Sequence, residues 1–195
     1  MSDMTGVALI SGRESNHVPE FPETSIAREE RKCAMSISTR LKEHLTEKNV
    51  VFEHHVHPTA YTAQRIAESL HVPGKELAKS VVIIADGALL LAVVPSNQRV
   101  NLDHLKFITR SENMRLATER EFVDAFPSCE VGAMPPFGIL FGITTYCDTS
   151  LEQNPDIEFN AGSHNDTIRM DFHDFKRLAR PTMIDLVDHP HRHVA

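Results

Sequence analysis

Two apolar segments separated by Asp86-Gly87 place the strongest constraint on the fold of this chain. Ser80–Ala85 and Ala88–Val94 are rich in valine, isoleucine and leucine, and such runs are typical of strands that are buried on both faces. An Asp-Gly dipeptide readily adopts the positive φ angles that a two-residue hairpin turn requires. The sequence therefore predicts a β-hairpin inside a larger sheet.

Helical and extended patterns alternate on both sides of this hairpin. The spacing of apolar residues and the capping residues predict helices over Ser36–Lys48, Thr62–Leu70, Leu102–Phe107, Thr118–Phe126 and from Asp171 to Leu178, and further strands over Val51–Val56, Ile139–Ile143, Ile157–Asn160 and Thr167–Met170. The elements do not follow a strict βαβ rhythm. We therefore predict an α/β fold of the α+β type, a single domain with a central mixed β-sheet that is partly barrel-like and flanked by helices.

The length of 195 residues, with 41% hydrophobic content, suits one well-buried core. Residues 1–34 show no sustained period and are expected to form a flexible N-terminal extension, residues 35–182 the domain, and residues 183–195 a His-rich C-terminal tail. The three cysteines form no CxxC pair, which favours a reducing, cytoplasmic location. No apolar run approaches the ~18 residues of a membrane span, so no membrane partner is expected.

The net charge of −7 argues against a broad nucleic-acid-binding surface, and DNA is not an expected partner. Contact with one RNA end remains open. Two small groups of basic residues are present, Arg99, Lys106, Arg110, Arg115 and Arg120 in the middle of the chain and Lys176, Arg177 and Arg180 near its end. Each group is either a solvated face or a local binding patch.

Gly132, Ala133, Met134, Pro135 and Pro136 form a stiff segment that suits neither a helix nor a strand. Glycine permits left-handed dihedral angles and close approach, whereas proline fixes φ and lacks an N–H group. The segment is therefore either an ordinary surface turn or a loop whose backbone N–H groups point at a ligand oxygen.

Lys79 directly precedes the first apolar run, where a cation is costly to bury without an anionic partner. It is predicted to face either water or a ligand, either as an edge-strand lysine that discourages aggregation or as a cation that holds a phosphate or carboxylate. His164 follows Gly162-Ser163 and suits either a turn or the rim of a site. Thr62 is predicted to cap the helix that begins after Tyr61, and its hydroxyl can also reach a substrate from there.

The sequence lacks a GxSxG elbow, a P-loop and a GxGxxG segment, so it lacks support for a serine hydrolase, a nucleotide hydrolase or a dinucleotide-binding protein. The 12 histidines include His54, His55 and His57 in one segment. No HExxH motif or carboxylate-supported triad accompanies them. We therefore expect no metal and no cofactor, and a metal-binding protein stays a minor alternative.

Four segments in this order carry a family resemblance: residues 57–62 (His-Pro-Thr-Ala-Tyr-Thr), Lys79, Gly132-x-x-x-Pro136 and residues 160–164 (Asn-Ala-Gly-Ser-His). Together they resemble the YbaK/prolyl-tRNA synthetase-associated editing domain, over about residues 36–182. The resemblance implies a free-standing trans-editing deacylase that hydrolyses the aminoacyl ester of mischarged tRNA, of tRNA(Pro) or a related tRNA. It implies the aminoacyl-tRNA acceptor end as partner, and an aminoacyl-tRNA synthetase as a second one.

The resemblance also assigns roles to residues. It implies catalytic roles for Lys79, Gly132 and His164, with Lys79 anchoring the terminal adenosine or its phosphate. Substrate binding is implied for Tyr61, Thr62, Ser80, Ala133, Met134, Pro135, Pro136, Gly162 and Ser163. Ser80 stands where alanine-specific relatives commonly have asparagine, so the amino acid removed is left open. The competing hypothesis is a non-catalytic tRNA- or synthetase-binding module of the same fold.

Overall fold

The computed structural model of the protein describes residues 38–58 and 73–187. Eight strands in these residues form one mixed sheet: β1 (Phe52–Val56), β2 (Leu77–Ala85), β3 (Ala88–Pro95), β4 (Met114–Leu116), β5 (Thr144–Asp148), β6 (Asp156–Asn160), β7 (Asp166–Asp171) and β8 (Thr182–Ile184). Their order is β1-β7-β6-β2-β3-β5-β8, and β4 pairs with β2. The predicted mixed sheet is confirmed, but it is open, with β1 and β8 at its edges, and does not close into a barrel.

The predicted hairpin forms. β2 and β3 pair without interruption from Ala78↔Pro95 to Ala85↔Ala88, and the turn residues Asp86 and Gly87 have φ angles of 49° and 85°. On its other side β2 pairs with β6 near its start and with β4 near its end. β2 is therefore an interior strand that begins at Leu77, and the alternative that Lys79 is an edge-strand lysine is wrong.

Four α-helices occur in the described residues: α1 (Thr39–Glu47), α2 (Leu102–Thr109), α3 (Glu119–Phe122) and α4 (Phe172–Ala179). Asp171 caps α4 by accepting a hydrogen bond from the Asp174 N–H group, as predicted. The capping box of Thr118 and Glu121 is also present, but α3 is shorter than predicted, because the chain tightens into a 3₁₀ turn at Val123–Ala125. The helix predicted over Thr62–Leu70 lies outside the described residues.

The strand predicted over Ile139–Ile143 is wrong. Gly138–Phe141 forms a 3₁₀ turn that ends at Gly142, whose φ is 70°, and β5 begins at Thr144. A Cβ atom at Gly138 would overlap the Ile143 carbonyl, so the chain folds back on itself here and cannot extend. The apolar composition of this segment reflects the packing of the turn and not a strand.

The helices pack on two different faces of the sheet. Side chains alternate along β2, so Ala78 and Val82 face one side and Val81 and Ile83 the other. The side of Ala78 is covered by α1 and α4. The other side is covered by α2, whose Leu105 packs in one cluster with Ile83.

The packed chain extends to Val187, past the boundary expected at residue 182, because Leu186 and Val187 are buried in the α2 cluster. Asp148 accepts hydrogen bonds from both of their N–H groups, at 2.6 Å and 3.1 Å. No helix in the described part of the chain is long and apolar enough to cross a membrane.

Candidate functional site

Residues 132–136, which we call the Gly132 loop, have exposed backbone at Gly132 and buried side chains in the residues that follow. Gly132 is exposed with φ of 90°, whereas Ala133 and the residues up to Pro136 are buried. Met134 packs in a cluster with Val82, on the Ala78 side of β2. The N–H group of Gly132 donates to the Met134 sulfur at 3.2 Å, and a thioether is a weak acceptor. A carbonyl oxygen is a stronger acceptor and can displace it.

The turn between β6 and β7 is hydrogen-bonded to this loop. Gly162 donates to the Ala133 carbonyl at 3.0 Å and accepts from the Glu130 N–H group at 2.8 Å. His164 Nε2 lies 2.8 Å from the Val131 carbonyl oxygen, and because a carbonyl only accepts, Nε2 carries the proton. The structure therefore brings Gly132, Ala133, Gly162 and His164 together, as the sequence hypothesis requires. We call residues 130–136 and 160–166 the loop–turn unit.

Glu130 is a member of this unit that the sequence did not reveal. Its carboxylate accepts a hydrogen bond from the backbone N–H group of His164 at 2.6 Å. An exposed glutamate two residues before a glycine carries no local pattern that predicts a bond across 34 residues of sequence. The role of Glu130 in joining the loop to the turn is seen only in the folded structure.

The turn between β6 and β7 is also held by contacts with the start of α1 and with Asp166. Gly162 has φ of 117°, and a Cβ atom there would lie 2.9 Å from the backbone nitrogen of Ser38, at the start of α1. The Ser163 hydroxyl donates to the buried Asp166 carboxylate, whose other oxygen lies 2.6 Å from His54 Nε2. The Ser163 hydroxyl is therefore used in a hydrogen bond within the turn. Ser163 contributes to a site by stabilising the conformation of the turn.

The neighbouring histidines do not converge on one point. His54 pairs with Asp166, whereas His55 Nδ1 lies 3.0 Å from Glu158, on the opposite face of β1. Glu158 also accepts from the Thr167 hydroxyl at 2.7 Å. In residues 38–58 and 73–187 no three His, Cys, Asp or Glu side chains are grouped so that they can hold a metal ion.

Lys79 is a half-buried cation whose ammonium donates to the Ser96 carbonyl at 3.0 Å. No carboxylate of the described residues forms an ion pair with it. Burial, reinforced by the positive charge of Arg99, lowers the pKa of Lys79 from its ordinary value of 10.5. The parallel pairing of Ala78 with Phe159 sets Lys79 beside Asn160, the residue that leads into the Gly162 turn. A cation in this position is well suited to bind an anion.

Lys79 and Ser80 project from opposite faces of β2, because neighbouring side chains of a strand alternate. Ser80 shares its face with the packed side of the Gly132 loop, and its hydroxyl is buried with no hydrogen-bond partner among the described residues. The structure thus groups most of the predicted site in the loop–turn unit, and it leaves Lys79 one strand away from that unit. Tyr61 and Thr62 lie outside the described residues.

Comparisons with known proteins give the family and the fold of the chain. The model of the aminoacyl-tRNA editing domain family matches residues 57–178. The proline–tRNA ligase of Nitratidesulfovibrio vulgaris (strain Hildenborough) is 30% identical over 95 residues, which are 49% of this chain and 16% of the ligase. The chain thus spans about a sixth of the length of this curated relative.

Two solved structures share the fold. The crystal structure of a candidate trans-editing enzyme for prolyl tRNA synthetase superposes with a TM-score of 0.67 at 19% identity, covering 79% of this chain and all of that one. The hypothetical protein APE2540 superposes with a TM-score of 0.69 at 18% identity, covering 76% of this chain and 99% of that one. The family match includes Lys79, the Gly132 loop and the Gly162 turn, so the chain belongs to the aminoacyl-tRNA editing domain family.

Proposed function

We propose that this chain hydrolyses the aminoacyl ester of mischarged tRNA, acting in trans on tRNA(Pro) or a related tRNA in the cytoplasm. The observation that carries the proposal is the N–H group of the exposed residue Gly132, for which the weakly accepting Met134 sulfur, at 3.2 Å, is the acceptor found among the described residues. Membership of the editing-domain family supports the same reaction.

The reaction needs a positioned water and a stabilised oxyanion, and it needs no serine or cysteine nucleophile. The water oxygen bonds to the ester carbonyl carbon, the bond from that carbon to the ribose oxygen breaks, and the ribose oxygen takes up a proton. The products are the free amino acid and tRNA with a free hydroxyl. Negative charge develops on the carbonyl oxygen in the transition state, where a fixed N–H donor such as that of Gly132 stabilises it.

Lys79 and His164 complete the proposed site. The Lys79 ammonium, half-buried and held by one neutral carbonyl, binds the terminal phosphate or adenosine of the tRNA. His164 supports the loop through its bond to Val131 and borders the space above Gly132, where a Cβ atom would lie 3.4 Å from its ring. Ala133 to Pro136, with Ser80, line the aminoacyl side of the site.

A deacylation panel tests this function. The purified chain is mixed with tRNA(Pro) carrying labelled alanine, serine, threonine, cysteine or proline, and the loss of ester is followed over time. We expect at least one mischarged species to lose its amino acid well above the spontaneous rate, and prolyl-tRNA to be spared. Spontaneous rates for every species, together with tRNA binding, would instead establish a non-catalytic binding module.

A further inference from the structure

Helix α2 carries an exposed group of side chains that the proposed reaction does not use. We call Lys106, Phe107 and Arg110 the α2 patch. Phe107 is 80% exposed, and both basic residues are exposed beside it. Phe107 and Arg110 lie one and four residues after Lys106, so all three are on the outward side of the helix. Together with Asp103 they line one shallow concavity.

The α2 patch lies on the same side of the sheet as Lys79. Leu105, on the inward side of α2, packs in one cluster with Ile83 and Val94. Lys79 is paired with Val94 and projects from the same face of β2 as Ile83. Four residues of strand separate Lys79 from Ile83, which corresponds to about 13 Å. A ligand that reaches Lys79 therefore has α2 beside it.

Arg99 extends the positive charge between these two places. It is exposed in the connection from β3 to α2, and its charge acts on the Lys79 ammonium. Three carboxylates of the described residues oppose the patch: Asp103 one turn earlier on α2, Glu112 shortly after it, and Asp86, which accepts from the Glu112 and Asn113 N–H groups. Arg115 is not available, because Glu121 holds its guanidinium at 2.5 Å and 2.8 Å.

We propose that the α2 patch binds the acceptor stem of the tRNA whose aminoacyl end lies at Lys79. Lys106 and Arg110 contact backbone phosphates, and the Phe107 ring packs on a ribose or an unpaired base. An aromatic ring beside two cations favours RNA over a protein partner, since a stacking surface and phosphate-binding charges then occur together. The placement of the aminoacyl end rests on the proposed function.

Binding of uncharged tRNA(Pro) to the full chain at several salt concentrations tests this inference without any need for catalysis. The double variant Lys106→Ala/Arg110→Ala should bind about tenfold more weakly, and its log–log salt slope should fall by about 2. Phe107→Ala should weaken binding by about five- to tenfold with the slope unchanged, because no charge is removed. The matched control Lys42→Ala/Lys48→Ala removes the same charge from α1 and its C-cap residue, on the other face of the sheet, and should bind as the parent does.

A second substrate separates this inference from the proposed function. An aminoacyl ester of adenosine has no stem, so the α2-patch variants should hydrolyse it at the parental rate. If the proposed function fails, neither ester is hydrolysed above background, while the effect of the patch on tRNA binding is still measured. Parental tRNA affinity in the patch variants, an equal loss in the α1 control, or no tRNA binding by the parent protein would each overturn the inference. Patch variants that bind tRNA normally but lose a synthetase would identify a protein-docking surface instead.

Discussion

The loop–turn unit and the surroundings of Lys79 are built in opposite ways. In the loop–turn unit, Gly162 and His164 are joined to the loop of residues 130–133 by four hydrogen bonds between 2.6 Å and 3.0 Å, so neutral donors are held at fixed positions. Within residues 38–58 and 73–187, Lys79 has one neutral acceptor, the Ser96 carbonyl, and its half-buried charge has no ion pair. The first region supplies geometry, and the second supplies an uncompensated charge for an anion.

The two regions therefore contribute to a site in different ways and affect the stability of the fold differently. Rigid donors stabilise a developing oxyanion without having to reorganise during the reaction. A partly desolvated cation lowers the stability of the fold but interacts strongly with a ligand of opposite charge. Substitutions should therefore affect stability in the loop–turn unit and affect mainly activity at Lys79.

Lys79→Ala is expected to have the largest effect on activity. Loss of an anchoring charge in a partly dehydrated site should lower single-turnover deacylation by about a hundredfold or more. Lys79→Arg should restore part of this rate, since it keeps the charge but changes its shape. The matched control is Lys42→Ala, an exposed lysine on α1. Parental activity in Lys79→Ala would remove Lys79 from the site.

The same variant should not lower the stability of the fold. Because the folded-state pKa of Lys79 lies below 10.5, holding the charge costs free energy at every pH below that lowered pKa. The cost fades as the pH rises from the lowered pKa to 10.5. Chemical denaturation should thus show no loss of stability in Lys79→Ala at neutral pH, with any gain shrinking in alkaline buffer. A clear loss at neutral pH would mean that Lys79 is a structural residue.

Gly162→Ala should damage stability more than any other change in the loop–turn unit. Its φ of 117° is unfavourable for alanine, and the new methyl group would lie 2.9 Å from the Ser38 backbone. We expect a loss of about 2–3 kcal/mol in the free energy of unfolding. Gly142→Ala is the matched control, since its φ is 70° but nothing lies within 4 Å of the added atom, and it should lose only about 1 kcal/mol. Equal losses in both variants would show that the contact with Ser38 is unimportant.

Gly132→Ala should reduce deacylation by about tenfold, with a smaller loss of stability than Gly162→Ala. The added methyl group would lie 3.4 Å from the His164 ring and strain a residue with φ of 90°, which displaces the proposed N–H donor. The measurement is single-turnover deacylation, with Gly142→Ala as the control for strain alone. If Gly132→Ala and Gly142→Ala are equally active, the Gly132 N–H group does not act on the substrate.

Glu130→Ala should have the smallest effect, a loss of activity of about threefold to fivefold, because one charge-assisted bond to the His164 N–H group disappears. Glu130→Gln keeps an acceptor oxygen and should recover most of the rate. If Glu130→Gln is as slow as Glu130→Ala, the rate depends on the negative charge and not on the acceptor oxygen. That result would indicate that Glu130 acts on the substrate directly.

Local patterns of the sequence predicted the elements that depend on local physics. Asp86-Gly87 and the Asp171 cap lie in the predicted places, because turn and cap geometry depends on a few adjacent residues. The Ile139–Ile143 prediction failed because Gly138 is packed against a carbonyl of its own chain, which an apolar pattern does not reveal.

For the site, the resemblance assigned the Gly132 loop and the Gly162 turn to one set of residues, and in the structure the two segments are hydrogen-bonded to each other, while their roles stay predictions. It could not reveal Glu130, or the division of Lys79 and Ser80 between two faces of β2. These features depend on strand register and on contacts between distant segments. The separation of Lys79 from the loop–turn unit follows from the same register.

The central claim is that these two regions are halves of one site. NMR titration of the ¹⁵N-labelled chain with a non-hydrolysable amide analogue of aminoacyl-adenosine phosphate, carrying the amino acid selected by the deacylation panel, tests it most directly. We predict that the backbone N–H signals of Gly132 and Lys79 shift together, with one dissociation constant. Shifts at only one of the two residues, or two different dissociation constants, would contradict the account.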